Sequence, residues 1–102
     1  MAWSAATVPQ VREIVLRDIS ACSNKQIATF LRYEVEPYFA PIRRYGNLEN
    51  VVVVARKGDE VLYWEDVEEG FNISPLDADG SILGHFCNQD ELCVALNAWI
   101  AG

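Results

Sequence analysis

Val51-Val52-Val53-Val54 constrains this chain more than any other stretch. Four β-branched residues in a row are stiff at χ1 and suit a pleated surface better than a helix. Because the run is continuous rather than alternating, it predicts a strand covered on both faces or set in the centre of a sheet. Lys57-Gly58-Asp59 follows as turn chemistry, and Val61 to Asp66 reads as the returning strand of a hairpin. Gly70 separates that strand from Phe71-Asn72-Ile73-Ser74, where apolar and polar residues alternate. Asp77-Ala78-Asp79-Gly80 is a second turn, and Ser81-Ile82-Leu83 is expected as a short further strand.

Helical spacing flanks this β region. Val11, Ile14, Val15 and Ile19 share one face of a helix over Thr7 to Ser20, with Thr7 as N-cap and Pro9 in the first turn. Ser23 and Gln26 form a capping-box pattern that opens a second helix over about Asn24 to Tyr33, expected to bury Ile27, Phe30 and Leu31. Near the end, Asn88 and Glu91 repeat the pattern with an amide. There Asp90 and Glu91 are expected in the first turn, and Leu92, Ala95, Leu96 and Trp99 on the buried stripe. The 34–50 segment has no clear period. Pro37 and Pro41 disfavour helix in the residues before them, a helical turn is expected around Tyr38 to Arg44, and Gly46-Asn47 reads as a stop.

The order helix, helix, strands, helix predicts an α+β fold in one domain over 1–102. It is an antiparallel β-meander of three to four strands, with the N-terminal helices and a C-terminal helix packed on one face. The opposite face of the sheet is expected to be free for solvent or a partner. At 102 residues and 51% hydrophobic, the chain can build a core without metal or disulfide staples. No apolar run approaches the ~20 residues that cross a bilayer. Met1-Ala2-Trp3-Ser4 has neither a basic nor a long apolar region of the secretory kind. Cys22, Cys87 and Cys93 are too few for a disulfide scaffold and are expected to be reduced cytoplasmic thiols.

Charge is divided along the chain. The first 57 residues hold all eight basic side chains and five acids, a balance of +3; the last 45 hold ten carboxylates and no Lys or Arg, which gives the net −7. Such a surface disfavours nucleic acid and anionic membranes, whose affinity comes from Lys and Arg. It favours a protein partner with a basic surface, because opposite charge speeds encounter.

Trp64-Glu65-Asp66-Val67-Glu68-Glu69-Gly70-Phe71 is the most distinctive patch. Read as a docking surface, Trp64 and Phe71 supply the anchors and Glu65, Asp66, Glu68 and Glu69 the steering charge. The bland alternative is a solvated hairpin end whose charge prevents edge aggregation. His85 and Cys87 precede a helix N-terminus, which is the setting for a ligand or reactive-thiol site. Their spacing to Cys93 matches no zinc arrangement. Asp77-x-Asp79-Gly80 lacks the first and last carboxylates of a calcium loop and reads as a turn. No phosphate loop, nucleophile elbow or metalloprotease helix is present.

These features lean away from an enzyme and call for no cofactor or metal. They point to a small acidic protein-binding module, in its sharpest form an inhibitor or immunity-type partner of a basic protein. The alternatives are a small-molecule or metal-binding protein centred on His85 and Cys87, and a structural homodimer subunit. The chain is expected to act as a monomer or homodimer.

Overall fold

The computed structural model describes residues 6–44, 46–67, 69–84 and 90–100. The elements run α1 (Val8–Ile19), α2 (Asn24–Tyr33), β1 (Glu34–Arg44), β2 (Asn47–Lys57), β3 (Glu60–Glu65), β4 (Gly70–Pro75) and α3 (Leu92–Ile100). The four strands form one antiparallel sheet in the order β1-β2-β3-β4, so the α+β meander expected from the sequence is the observed architecture.

Both N-terminal helices start where local chemistry says they should. Thr7 and Ser23 each accept the main-chain N–H of the glutamine three residues on, at 3.3 and 3.2 Å, and Gln10 and Gln26 accept the cap N–H in return. Each box satisfies two of the donors that a helix start leaves over. Val11 and Phe30 are the buried residues of α1 and α2. Leu31 departs from expectation: it is 60% exposed, because the floor position of α2 belongs to Phe30 beside it.

The 34–50 segment is the main correction. It is no helical turn but eleven residues of strand, paired with β2 from Tyr38↔Val53 through Arg44↔Asn47. Prolines are tolerated because β1 is an edge strand, where a missing N–H costs no ladder bond. Val51 to Val54 are all at most 2% exposed, as a strand covered on both faces requires. A register shift between Val53 and Ala55 brings Val54 and Ala55 together onto the helix side, a bulge that adds one apolar residue to that face.

Two cores result. Val52, Val54, Leu62, Trp64 and Phe71 pack beneath the helices with Val11, Phe30, Leu92, Leu96 and Trp99. The opposite face, expected to be free, is buried as well: Ala40, Ile42, Val51, Val53, Val61 and Tyr63 pack with Ile82, Leu76 and Val35. The 76–84 segment crosses it. Ile82 donates its N–H to Pro41 O (2.8 Å) and Leu83 donates to Pro75 O (3.0 Å), so this segment ties the two edge strands together. The short strand expected at 81–83 is thus a single bridge residue, Ile82.

Helix α3 begins at Leu92, later than its sequence pattern implied. Asp90 and Glu91 lie before the helix rather than in its first turn. Asn88 falls outside the described residues. The carboxylate at the α3 N-terminus comes instead from α1: Leu92 N–H donates to Asp18 Oδ2 at 3.4 Å. Cys22 and Cys93 form a disulfide across 71 residues with Cα atoms 5.2 Å apart, which corrects the reduced-thiol expectation for that pair. Among the described residues, no helix is long and apolar enough to cross a membrane.

Candidate binding cleft beside helix α1

Helix α1 is a ridge with a depression on each flank. On the Arg12 flank, an apolar groove of about 500 Å³ is floored by Phe30 and Val54 and walled by Val15, Leu16, Val35 and Pro37. The exposed Arg12–Glu36 ion pair spans it from α1 to β1. On the Arg17 flank lie two adjoining depressions of about 600 and 350 Å³, which share Arg17, Trp64 and Glu69. The first adds Gln10, Glu13, Ile14 and Asp66; the second adds Asp18, Ala21, Asp90 and Glu91.

The charge of this second cleft is built by three separate stretches of chain. Glu13 and Asp18 come from α1, Asp66 and Glu69 from the β3–β4 turn, and Asp90 and Glu91 from the approach to α3. Among the described lining residues, Arg17 is the cation that faces these carboxylates. Backbone pairing sets their positions. Glu65 pairs with Gly70 to close the hairpin, and Glu65 Oε1 accepts the Val67 N–H at 3.1 Å inside the turn. Glu69 has a positive φ of 54°, a left-handed conformation that costs a non-glycine residue about 1 kcal/mol. Phe71 N–H donates to Asp90 O at 2.8 Å, which sets Asp90 and Glu91 beside that turn. Arg17 Nε is 3.1 Å from Asp18 Oδ1, a pair in which the aspartate side chain is only 14% exposed.

The predicted patch is divided by this arrangement. Phe71 and Glu65 are fully buried, and Trp64 and Asp66 are 8% exposed. These four are neither an outward docking surface nor a solvated hairpin end. Phe71 meets the Trp64 ring edge-to-face at 5.1 Å within the core, and Trp64 reaches the cleft only as part of its floor. Among the described residues of the patch, Glu69 is the one exposed in the cleft. Glu68, His85 and Cys87 lie outside the described residues, and the possible ligand or thiol site at His85 and Cys87 lies there with them.

Glu13, Asp18, Asp90 and Glu91 were not legible as one site. They stand up to 78 positions apart in the chain, and the pairing of Cys22 with Cys93 is a signal that would have linked two of the segments. Four other acids of the C-terminal portion sit elsewhere: Asp59 and Glu60 at the β2–β3 turn, Asp77 and Asp79 in the 77–80 turn. In the latter, the Ser81 main-chain N–H and then its side chain hold the Asp79 carboxyl below its ordinary range. Among the described residues, no group of three or more His, Cys, Asp or Glu side chains is arranged to hold a metal ion.

No known protein family, curated protein or solved structure matches the chain.

Proposed function

We propose that the protein is a non-enzymatic binding module that takes a basic segment of a partner protein into the cleft on the Arg17 flank of α1. The observation that carries this reading is the convergence of six carboxylates from three stretches of chain around the Trp64 floor, with one arginine among the described lining residues. A concave surface of one sign focuses its field and raises the encounter rate of an oppositely charged partner. Lys and Arg side chains can also lay their apolar stems and their charge against an indole. In its sharper form, the module is an inhibitor or immunity-type protein whose carboxylates take the place of phosphates on a basic target. The reading carries with it a cytoplasmic setting, where a disulfide is transient rather than permanent.

The test uses a deca-lysine peptide and calorimetry at about 0.15 M salt. Glu13→Gln/Glu69→Gln/Glu91→Gln removes three charges from the cleft. Asp59→Asn/Asp77→Asn/Asp79→Asn removes three from the far turns, so the two variants match in net charge. The cleft variant loses about tenfold in affinity, the sum of three exposed ion pairs of about 0.5 kcal/mol each. The far variant keeps the wild-type value within about twofold, since exposed charges outside the contact are screened over about 8 Å at that salt. Equal losses in the two variants would mean that net charge alone binds the peptide, and the cleft would have no part in it.

A further inference from the structure

The Cys22–Cys93 disulfide lies directly behind the acidic cleft. Cys22 is in the turn after α1, and Cys93 is the second residue of α3. Both sulfurs rest against the main-chain carbonyl of Asp18, at 3.5 and 3.6 Å. The Asp18 side chain meanwhile accepts from Leu92 N–H and pairs with Arg17. One covalent bond therefore joins the segment that carries Asp18 to the segment that carries Asp90 and Glu91.

The rest of α3 is held by other means. Leu92, Ala95, Leu96 and Trp99 are in the helix-side core. Gln26 Nε2 donates to Cys93 O at 3.1 Å and to Asn97 Oδ1 at 3.0 Å. Cutting the disulfide leaves that packing in place. At the helix start, what remains among the described residues is the main-chain bond from Phe71 to Asp90, one long hydrogen bond from Leu92 to Asp18, and the Gln26 contact. The two sulfurs would move from bonding distance, ~2 Å, to van der Waals separation, ~3.5–4 Å. That movement falls on the junction between Asp18 and Leu92. Both cysteines are half-buried, so a small opening exposes the bond to a thiol.

We propose that the Cys22–Cys93 disulfide is a redox latch: oxidised, it holds the acidic cleft in its binding arrangement; reduced, it lets the α3 start and Asp18 part and weakens partner binding without unfolding the protein. The proposal rests on the cleft reading above and names its regulation. The reductant is a dithiol. One of its thiolates attacks a protein sulfur and forms a mixed disulfide, and its second thiolate displaces the protein thiol. The dithiol loses two electrons and two protons as it closes to a disulfide; Cys22 and Cys93 gain both as two thiols. Each thiol can then donate to the Asp18 carbonyl, which gives the reduced state its own local bonding. The latch is set again by exchange with another disulfide.

Wild-type protein and Cys87→Ser, which removes the third thiol, are compared before and after dithiothreitol. Peptide mapping without reductant is expected to link Cys22 to Cys93. Reduction is expected to weaken deca-lysine binding by at least about fivefold, the lower range of coupling between sites. It is also expected to speed amide exchange at Leu92 and Cys93, while Val53 and Leu62 stay protected. Cys22→Ser/Cys93→Ser should match the reduced protein with or without dithiothreitol. Absence of the linked peptide overturns the latch, as does loss of protection at Val53 and Leu62, which would make the bond a staple of the whole fold. Equal binding by both forms overturns the latch and leaves the cleft reading standing. Binding by neither form overturns the cleft reading itself.

Discussion

The two flanks of α1 belong to one helix of twelve residues, and they differ in everything that lies opposite. On the Arg12 side the helix meets the β1 edge strand, with its prolines and Val35, over a floor of Phe30 and Val54. On the Arg17 side it meets a turn and a helix approach that bring four further carboxylates. The ion pairs show the same contrast. Glu36 of the Arg12–Glu36 pair has 87% of its side chain in solvent, whereas Asp18 of the Arg17–Asp18 pair has 14%. The character of each groove is therefore set by long-range partners, and the helix sequence only supplies the ridge between them.

Three measurements would break or sharpen that contrast. The largest effect belongs to Phe30, which is 5% exposed and floors the apolar groove. Phe30→Ala should lower stability by about 3 kcal/mol in urea unfolding, the low end for such truncations because the groove already admits solvent on one side. Affinity for deca-lysine should stay unchanged if the flanks are independent; a matching loss of affinity would show them to be one site.

Glu69 gives the next effect, of opposite sign. Relief of its left-handed backbone in Glu69→Gly should raise stability by about 1 kcal/mol, while removal of a cleft carboxylate weakens peptide binding. A gain in stability together with a loss of binding would mark a residue retained for the surface and not for the fold. A loss of both would return Glu69 to a structural role.

The smallest effect is expected at Arg12. Its ion pair with Glu36 is exposed, so Arg12→Ala should change thermal stability by no more than about 0.5 kcal/mol. A larger loss would mean that this pair holds α1 against β1, and the two flanks would then differ less than their exposure implies.

Much of the fold could be read in advance because much of it is local. Capping boxes need four consecutive residues, so Thr7/Gln10 and Ser23/Gln26 announce both helices. Gly58 and Gly80, both at positive φ, mark turns that the residue types alone predict. β1 was not legible because an edge strand with two prolines carries no period of its own; it is extended because Phe39, Ala40 and their neighbours pair with β2. The covering of the second sheet face was hidden for a similar reason. Ile82 and Leu83 are a short apolar pair beside a turn, and the hydrogen bond of Ile82 to Pro41 and its packing with Ile42 and Val53 show what it closes. Of the linear acidic patch, Glu69 is exposed whereas Glu65 and Phe71 are buried, since position along the chain does not report which side of a pleat a residue occupies.

From its sequence alone this chain determined its elements: caps, β-branched runs and turn residues act over a few positions, where the energetics are set by neighbours in the chain. It also determined how many charges there are and of which sign. Tertiary structure decided where those charges meet, which cysteines bond and what covers the second sheet face. Those depend on contacts between residues far apart in the chain, such as Cys93 against Asp18, 75 positions away, and no short-range preference encodes them.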